Sequence, residues 1–461
     1  MSQNVKENPL ATQPVGKLML KFAIPAIISG LVSSLYNIVD QIFIGQKVGM
    51  LGNAATNVAF PIIIFCTGIS LLLGIGTAAN LSLSLGKGEK EKAGYFAGTG
   101  MTMLVLAGFV IAILGFIFMK PLIHLFGATP DVFPYALQYV SITMLGLPFY
   151  VISCGGSHLI RADQSPRFAM VSVMAGALIN LILDPLFIFT FDFGIAGAAY
   201  ATVIGQVVSG LMTIYYFRHF KTMKITRHLL RPRAEYLVKI FALGSAPCIN
   251  QLSMMVVQIA LNNVLRHYGT LSAYGADIPL ACAGVITKVN SILIMIIVGL
   301  AQGAQPIIGF NYGAKNYSRV KEAYVKNVII VMIISGIAFL FFQLFPMQIT
   351  SLFGDGSQEY YAFAKKYFRI FLFFTFLNGL QPITANFFTA IGKAGKGLTI
   401  SITRQILFLL PLILILPMFM GIDGVLFAAP IADVVAFSLT IFFVVQQIRL
   451  MNKAIREKEA N

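Results

Sequence analysis

The sequence predicts an all-α membrane protein with twelve transmembrane helices in two pseudo-symmetric six-helix bundles. Three observations support this prediction. Of the 461 residues, 57% are hydrophobic and only 11% are charged, which is far too little charge for a soluble domain of this size. Apolar runs of about 20 residues recur along the chain, each long enough to cross a hydrocarbon core of roughly 30 Å. The second half of the chain also repeats the first.

The helical spans follow the apolar runs, because no strand-type alternation interrupts them and a helix satisfies its own backbone polar groups in lipid. In the first half they cover 17–45, 57–85, 93–118, 133–158, 168–190 and 194–217. In the second half they cover 236–265, 278–310, 322–345, 360–389, 398–419 and 424–447. The predicted organisation is a first bundle over residues 1–217, a cytoplasmic linker over 218–239, and a second bundle with a cytoplasmic tail over 240–461.

The distribution of the basic residues predicts the orientation. Most of the 33 Lys and Arg residues lie in the N-terminus, the loops on the same side, the central linker and the tail. Cytoplasmic loops carry such an excess, so we expect both termini in the cytoplasm and the chain in the plasma membrane. The net charge of +16 is therefore a sign of topology, and we expect no nucleic-acid partner.

The internal repeat has a constant offset of 227 residues. Gly86 matches Gly313 at the end of the second helix of each half. Two longer matches have the same offset: Leu125-Phe126-Gly127 with Leu352-Phe353-Gly354, and Gly194-Ile195-x-Gly197 with Gly421-Ile422-x-Gly424. Six helices in each half make the repeats parallel, with an axis along the membrane normal. This is one of the architectures of secondary transporters, which handle substrate between the halves near mid-membrane.

Charged residues inside spans are costly, at about 2.5–3.5 kcal/mol on insertion scales, so each needs a reason. Asp40, Asp184 and Asp433 are the acidic candidates, and Lys288 is the basic one. Lys288 and Asp433 share a depth in the second bundle when counted from the outer ends of their helices. We expect them to form an ion pair with a structural role, because a paired charge is the less costly arrangement in lipid.

Four polar residues of the first bundle are predicted to form one site. Asp40, Asp184 and Thr202 each lie about 10–12 Å from the outer end of their helix, and Asn180 lies four residues before Asp184 on the same helical face. Such oxygen ligands suit a hard cation such as sodium. Alternatively, two close carboxylates in a low dielectric cannot both stay ionised, so one can carry a proton. A structural polar cluster that orients the helices is the third interpretation.

Several functional classes are excluded or disfavoured. The sequence has no G-x-x-x-x-G-K-[ST] motif, so it predicts no ATP site of the P-loop type. Its five His residues have no metal-ligand spacing, and no nucleophile lies beside a base. We therefore expect neither an enzyme nor a bound cofactor. The four Cys residues lie in apolar spans and are expected to be reduced.

Six stretches of the sequence together have a characteristic pattern. Four lie in the first half: Tyr36-Asn37-Ile38-Val39-Asp40, Arg161-Ala162-Asp163, Asn180-Leu181-Ile182-Leu183-Asp184-Pro185 and Gly194-Ile195-Ala196-Gly197-Ala198-Ala199. Two lie in the second half: Gly313-Ala314-Lys315-Asn316-Tyr317 and Ala390-Ile391-Gly392-Lys393. In these stretches the chain resembles the multidrug and toxic compound extrusion (MATE) family, and is similar to its bacterial DinF-like and MepA-like members. The resemblance covers essentially the whole chain.

This resemblance implies a V-shaped exporter that exchanges organic compounds, often cations, for sodium or protons. It also implies a coupling site at the positions of Asp40, Asn180, Asp184 and Thr202. Tyr36 and Asn37, in the first family stretch, are candidates for the lining of an additional cavity in the first bundle. The NorM-like branch instead places acids in helices seven and ten, and this sequence has none there.

We therefore predict a multidrug efflux antiporter of the plasma membrane that acts as a monomer on small-molecule drugs or toxins. Two rivals remain at this point. A lipid-linked oligosaccharide flippase of the same superfamily would favour extra helices and a basic cavity. A scaffold or receptor without transport would leave the buried acids unexplained.

Overall fold

The computed structural model describes residues 8–275, 277–353 and 357–460. It is 87% helical, with no β-strand among these residues. Within the described ranges, ten helices are long and apolar enough to cross a membrane, and two bent helix pairs bring the count to twelve. The predicted fold class is thereby confirmed.

The first bundle contains α1 to α6, and the second contains α7 to α12. The first six are α1 (Val15–Lys47), α2 (Met50–Lys87), α3 (Lys90–Leu125), α4 (Phe133–Thr143 and Leu147–Ala162), α5 (Pro166–Thr190) and α6 (Ile195–Phe217). The others are α7 (Ala234–Thr270), α8 (Asp277–Gly313), α9 (Tyr317–Leu344), α10 (Gln358–Phe371 and Thr375–Ala390), α11 (Ala394–Met420) and α12 (Ile422–Ala460). Short helices also cover Pro9–Thr12 and Pro346–Ser351.

Most helices extend beyond the predicted spans, because their polar ends continue as helix past the apolar run. The clearest case is α7, which begins at Ala234, so the last part of the predicted 218–239 linker is helical. Two of the helices are interrupted. The pieces of α4 meet at 59° and those of α10 at 48°. The breaks, Met144–Gly146 and Leu372–Phe374, lie at equivalent places of the repeat.

The two bundles touch mainly through α1 with α8 and α2 with α7, with a further contact between α2 and α8. Glycines allow the close approach. A Cβ atom added to Gly76 would overlap the carbonyl oxygen of Ile240, and one added to Gly244 would overlap that of Leu72. These contacts lie in the halves of the helices nearer the chain termini.

Side-chain hydrogen bonds join the bundles at the same end. Asn80 Nδ2 donates to the carbonyl of Lys239 at 3.1 Å, and Asn311 Nδ2 donates to that of Leu10 at 3.0 Å. At the opposite end, the ion pair Lys47–Asp192 stays within the first bundle and Lys366–Asp423 within the second. The molecule therefore has the form of a V joined at the end that carries the termini.

The segment between the bundles is fixed to the first bundle at both of its ends. Near its start, Asp163 accepts hydrogen bonds from Tyr216 Oη at 2.7 Å, from the backbone N–H of Lys221 at 2.6 Å and from that of Thr222 at 2.9 Å. Burial raises the pKa of the Asp163 carboxyl, although these donors oppose the shift. The first part of the linker is therefore held against the ends of α4 and α6.

The end of the linker is held against α3. Thr102 Oγ1 donates to the carbonyl of Leu230 at 2.7 Å. The guanidinium of Arg233 lies 4.0 Å from the ring centroid of Tyr95 and donates to its hydroxyl at 2.9 Å. A cation over an aromatic face is a favourable contact, so the linker lies across the base of the first bundle as a bound strap.

Candidate functional site

The candidate site of the first bundle is built where α5 and α6 pack closely against each other. Gly176 and Gly205 create this contact, since a Cβ added to Gly205 would lie 2.5 Å from the carbonyl oxygen of Gly176. That Cβ would also lie 3.3 Å from the Cβ of Asn180. The absence of side chains at both glycines therefore brings Asn180 next to Thr202, which precedes Gly205 by about one turn.

The structure brings together the four residues predicted for this site. Asn180 Nδ2 donates to Asp184 Oδ1 and to Thr202 Oγ1, each at 3.3 Å. The carboxyl group of Asp40, on α1, is close enough to that of Asp184 for the two to interact electrostatically. Asp40 is 6% exposed, Asn180 2% and Asp184 0%. Three helices, α1, α5 and α6, thus converge on one buried polar cluster.

Three oxygen atoms of this cluster have no hydrogen-bond donor: Asp40 Oδ1, Asn180 Oδ1 and Asp184 Oδ2. Neither carboxylate forms an ion pair with a Lys or Arg of the described residues. Buried acceptors without donors are rare, and buried carboxylates without a cation are costly. The cluster therefore has the chemistry of a site for a small cation or a proton.

Two tyrosines lie beside the carboxylates. Tyr36, on α1, interacts electrostatically with both Asp40 and Asp184. Tyr139, on the first piece of α4, interacts with both as well, and its hydroxyl lies beside Thr202. Tyr139 was not among the predicted site residues, because no intramembrane charge marks α4. Asn37 is exposed and donates to the carbonyl of Ser33 at 2.6 Å.

The predicted ion pair of the second bundle is wrong. Asp433, on α12, pairs with Arg404 of α11, whose Nε lies 2.7 Å from Asp433 Oδ1. Lys288 is exposed on α8 and forms no ion pair with the described residues. The prediction did not consider Arg404 as a partner, although it lies inside the predicted span 398–419 and inside α11. It lies in a widened, π-helical turn over Thr403–Leu409, which shifts its direction from that of a regular helix.

Curated relatives resemble the chain over nearly its full length. It is 25% identical over 421 residues to the multidrug export protein MepA of Staphylococcus aureus (strain MSSA476), covering 91% of each chain. It is also 25% identical over 422 residues to MepA of Staphylococcus saprophyticus, again covering 91% of each.

Solved structures of the same fold are similar in three dimensions. One is a MATE transporter in the straight conformation, with a TM-score of 0.88 and 25% identity, covering 98% of this chain and 100% of that one. Another is the outward-facing conformation of a multidrug resistance MATE family transporter of the MOP superfamily. It has a TM-score of 0.88 and 25% identity, and covers 98% of this chain and 99% of that one.

The profile of the MatE family matches the chain twice, over residues 25–186 and 247–415. The two matches begin at Pro25 and Pro247 and fall in the two bundles, so the halves found by internal comparison are two copies of one family unit. Together they cover well over half of the 461 residues. The chain belongs to the MatE family.

Proposed function

We propose that this protein exports small organic compounds, cationic ones among them, in exchange for sodium ions or protons. The observation that carries the proposal is the oxygen cluster of Asp40, Asn180, Asp184 and Thr202, with three buried acceptors that lack donors. The names of the MepA relatives, as multidrug export proteins, support the class of substrate. The buried position of the cluster supports a role in coupling rather than in drug recognition.

The cluster joins three helices, and this suggests how an ion could drive transport. A cation bound among α1, α5 and α6 neutralises the two carboxylates and favours the packing that brings them together. A ligand shifts a conformational equilibrium only through its different affinity for the two states. Ion binding from the outside therefore stabilises one arrangement of the first bundle. Release of the ion to the cytoplasm then allows the bundle to return to its other arrangement.

Either ion fits this chemistry. Sodium takes oxygen ligands of the kind that the cluster offers. A proton shared by Asp40 and Asp184 relieves the repulsion between two carboxylates in a low dielectric. The described residues of the second bundle offer no equivalent site, since its buried acid, Asp433, is already neutralised by Arg404.

In the cell, we place the protein in the plasma membrane as a monomer with both termini in the cytoplasm. The positive charge of the termini-side loops supports that orientation. The cleft of the V then opens to the outside. Substrate leaves through this cleft while the coupling ion enters.

Everted membrane vesicles test the proposal directly. With an imposed sodium or proton gradient, the wild type is expected to accumulate a fluorescent cationic dye, and the effective ion identifies the coupling. Asp40→Asn and Asp184→Asn keep nearly the same shape but remove a carboxylate, and each is expected to abolish gradient-driven transport. Asp192→Asn is the matched control, because Asp192 is 73% exposed at the outer end of the same bundle. Normal gradient-driven transport by both Asp40→Asn and Asp184→Asn would contradict the coupling mechanism.

A further inference from the structure

Residues 8–13, which precede α1 and are called the N-terminal segment below, lie between the two bundles at the end that carries the termini. The segment contains the short helix Pro9–Thr12, which contacts α8 of the second bundle. Leu10, on this helix, is only 1% exposed. An apolar side chain that is buried so completely contributes to the packing between the elements around it. The N-terminal segment is therefore an integral part of the closed end.

Two side chains of the second bundle hold the backbone of the N-terminal segment. Arg319, near the start of α9, donates from Nη2 to the carbonyl of Leu10 at 3.2 Å and to that of Gln13 at 2.5 Å. Asn311, near the end of α8, donates to the same Leu10 carbonyl at 3.0 Å. Arg319 forms no ion pair within the described ranges, and its hydrogen bonds there go to these two carbonyls alone. Hydrogen bonds from a charged donor are stronger than those between neutral groups.

The two ends of the N-terminal segment are fixed to the first bundle. Gln164, in the turn after α4, donates to Asn8 Oδ1 at 3.1 Å. At the other end, only Pro14 separates Gln13 from Val15, where α1 begins. The backbone is extended at Gln13 (φ −70°, ψ 149°) and at Pro14 (φ −53°, ψ 132°), so it has almost no slack. The N-terminal segment therefore has to move with the first bundle.

The backbone at Gln164 supports a role for its side chain in this attachment. Gln164 has a φ of 62°, in the left-handed region that favours glycine. At the equivalent place of the repeat, two residues after the end of α10, the chain has Gly392 with a φ of 80°. Glutamine thus stands where glycine would be less strained, and its amide is used to hold Asn8.

Opening of this end would break the hydrogen bonds to the second bundle. The opening separates α1 from α8, which now meet where Ala23 packs against Gly303. Because the N-terminal segment moves with α1, its carbonyls then leave Arg319 and Asn311. These hydrogen bonds exist only while the end is closed. Contacts that are made in one state alone shift the equilibrium toward that state.

We propose that the N-terminal segment is a latch, which holds the two bundles together at the end that carries the termini and is released each time this end opens. Its two ends belong to the first bundle, and its middle is bound by the second. Arg319 supplies the charged donor of the latch. The inference concerns the control of the proposed export cycle, and it rests on the alternation between two states that this function requires.

Spin labels at Lys87 and Lys315, one on each bundle, test this inference. Their distance distribution in the purified full-length protein gives the ratio of closed to open molecules at this end. Arg319→Met keeps a long side chain but removes both hydrogen bonds, and is expected to lower that ratio about tenfold or more. Lys321→Met is the matched control on the same helix, because Lys321 donates to Asn452 within the second bundle. The control is expected to leave the ratio unchanged.

Gln164→Gly tests the attachment to the first bundle separately. Glycine suits the φ of 62° at this position, so the fold should be preserved while Asn8 loses its donor. The loss of one neutral hydrogen bond is expected to lower the ratio about fivefold.

A wild-type ratio in Arg319→Met or in Gln164→Gly would overturn the latch, and so would an equal fall in Lys321→Met. The distances are measured without substrate and without an ion gradient. Failure of gradient-driven transport would therefore count against the proposed antiport alone.

Discussion

The Nε atom of Arg404 donates a hydrogen bond of 2.7 Å to Oδ1 of Asp433 and thereby ties α11 to α12 inside the second bundle. The Asp433 side chain is fully buried, and that of Arg404 is 19% exposed. Within its membrane-spanning helices, the first bundle has two buried carboxylates, Asp40 and Asp184, and neither has a basic partner among the described residues. In the second half the buried acid of the spans is therefore paired with a basic side chain. In the first half, among the described residues, the two buried acids of the spans are left for an ion to neutralise.

Breaking this pair should destabilise the protein. Arg404→Met alone leaves a buried carboxylate without a partner, which we expect to cost on the order of 3 kcal/mol. Asp433→Leu combined with Arg404→Met removes both charges, and most of the loss should be recovered. Thermal unfolding of the single and double variants in detergent provides the double-mutant cycle.

The ion pair Lys366–Asp423 provides the control for that cycle. Its side chains are 39% and 37% exposed, so its removal should cost less than about 1 kcal/mol. A cycle between Lys288 and Asp433 should be additive, because these residues do not pair. Strong coupling between Lys288 and Asp433 would contradict the arrangement described here.

Thr202→Val should weaken ion coupling without abolishing it. The change keeps the side-chain shape but removes the hydroxyl that accepts a hydrogen bond from Asn180. Loss of one neutral ligand or hydrogen bond is worth about 1 kcal/mol, so the ion concentration for half-maximal transport should rise about fivefold. Thr213→Val is the matched control in the same helix, since Thr213 bonds only its own helix, at the Ser209 carbonyl. An unchanged ion dependence in Thr202→Val would remove Thr202 from the site.

Gly244→Ala should push the bundles apart at the end that carries the termini. The new Cβ would overlap the carbonyl oxygen of Leu72. The conformation in which the bundles touch here should therefore be less populated than in the wild type. Spin labels at Lys87 and Lys315, one on each bundle, should report a longer distance in the variant. Gly284→Ala, where no atom lies within 4 Å of the added Cβ, should leave that distance unchanged. The same distance in both variants would show that the bundles meet elsewhere.

Counting along helices was enough to predict which residues of the first bundle meet. Depth from the outer end and the 3.6-residue period placed Asp40, Asn180, Asp184 and Thr202 at one level, and the structure groups them. This worked because α1, α5 and α6 run without a sharp bend through the site. Tyr139 was missed because its neighbours depend on the 59° bend in α4. Gly146 and Pro148 mark that break in the sequence, but the run was treated as one continuous span.

The second bundle shows where such counting fails. The depth argument paired Lys288 with Asp433 because both seemed to be at the same level without another partner. Arg404 was available, but its widened turn over Thr403–Leu409 departs from the regular 100° step. Packing between distant segments decides which helix a side chain faces and which hydrogen bonds the linker forms. The spacing of residues along the sequence gives no information about that packing.

The strap between the bundles suggests that this protein does not need to be one polypeptide. Residues 218–233 are bound to the first bundle through Asp163, Thr102 and Tyr95, while the bundles recognise each other through α1 with α8 and α2 with α7. The peptide bond between Arg233 and Ala234 is then a covalent connection that assembly does not depend on. Two genes, one ending at Arg233 and one starting at Ala234, should yield fragments that associate in the membrane as a heterodimer.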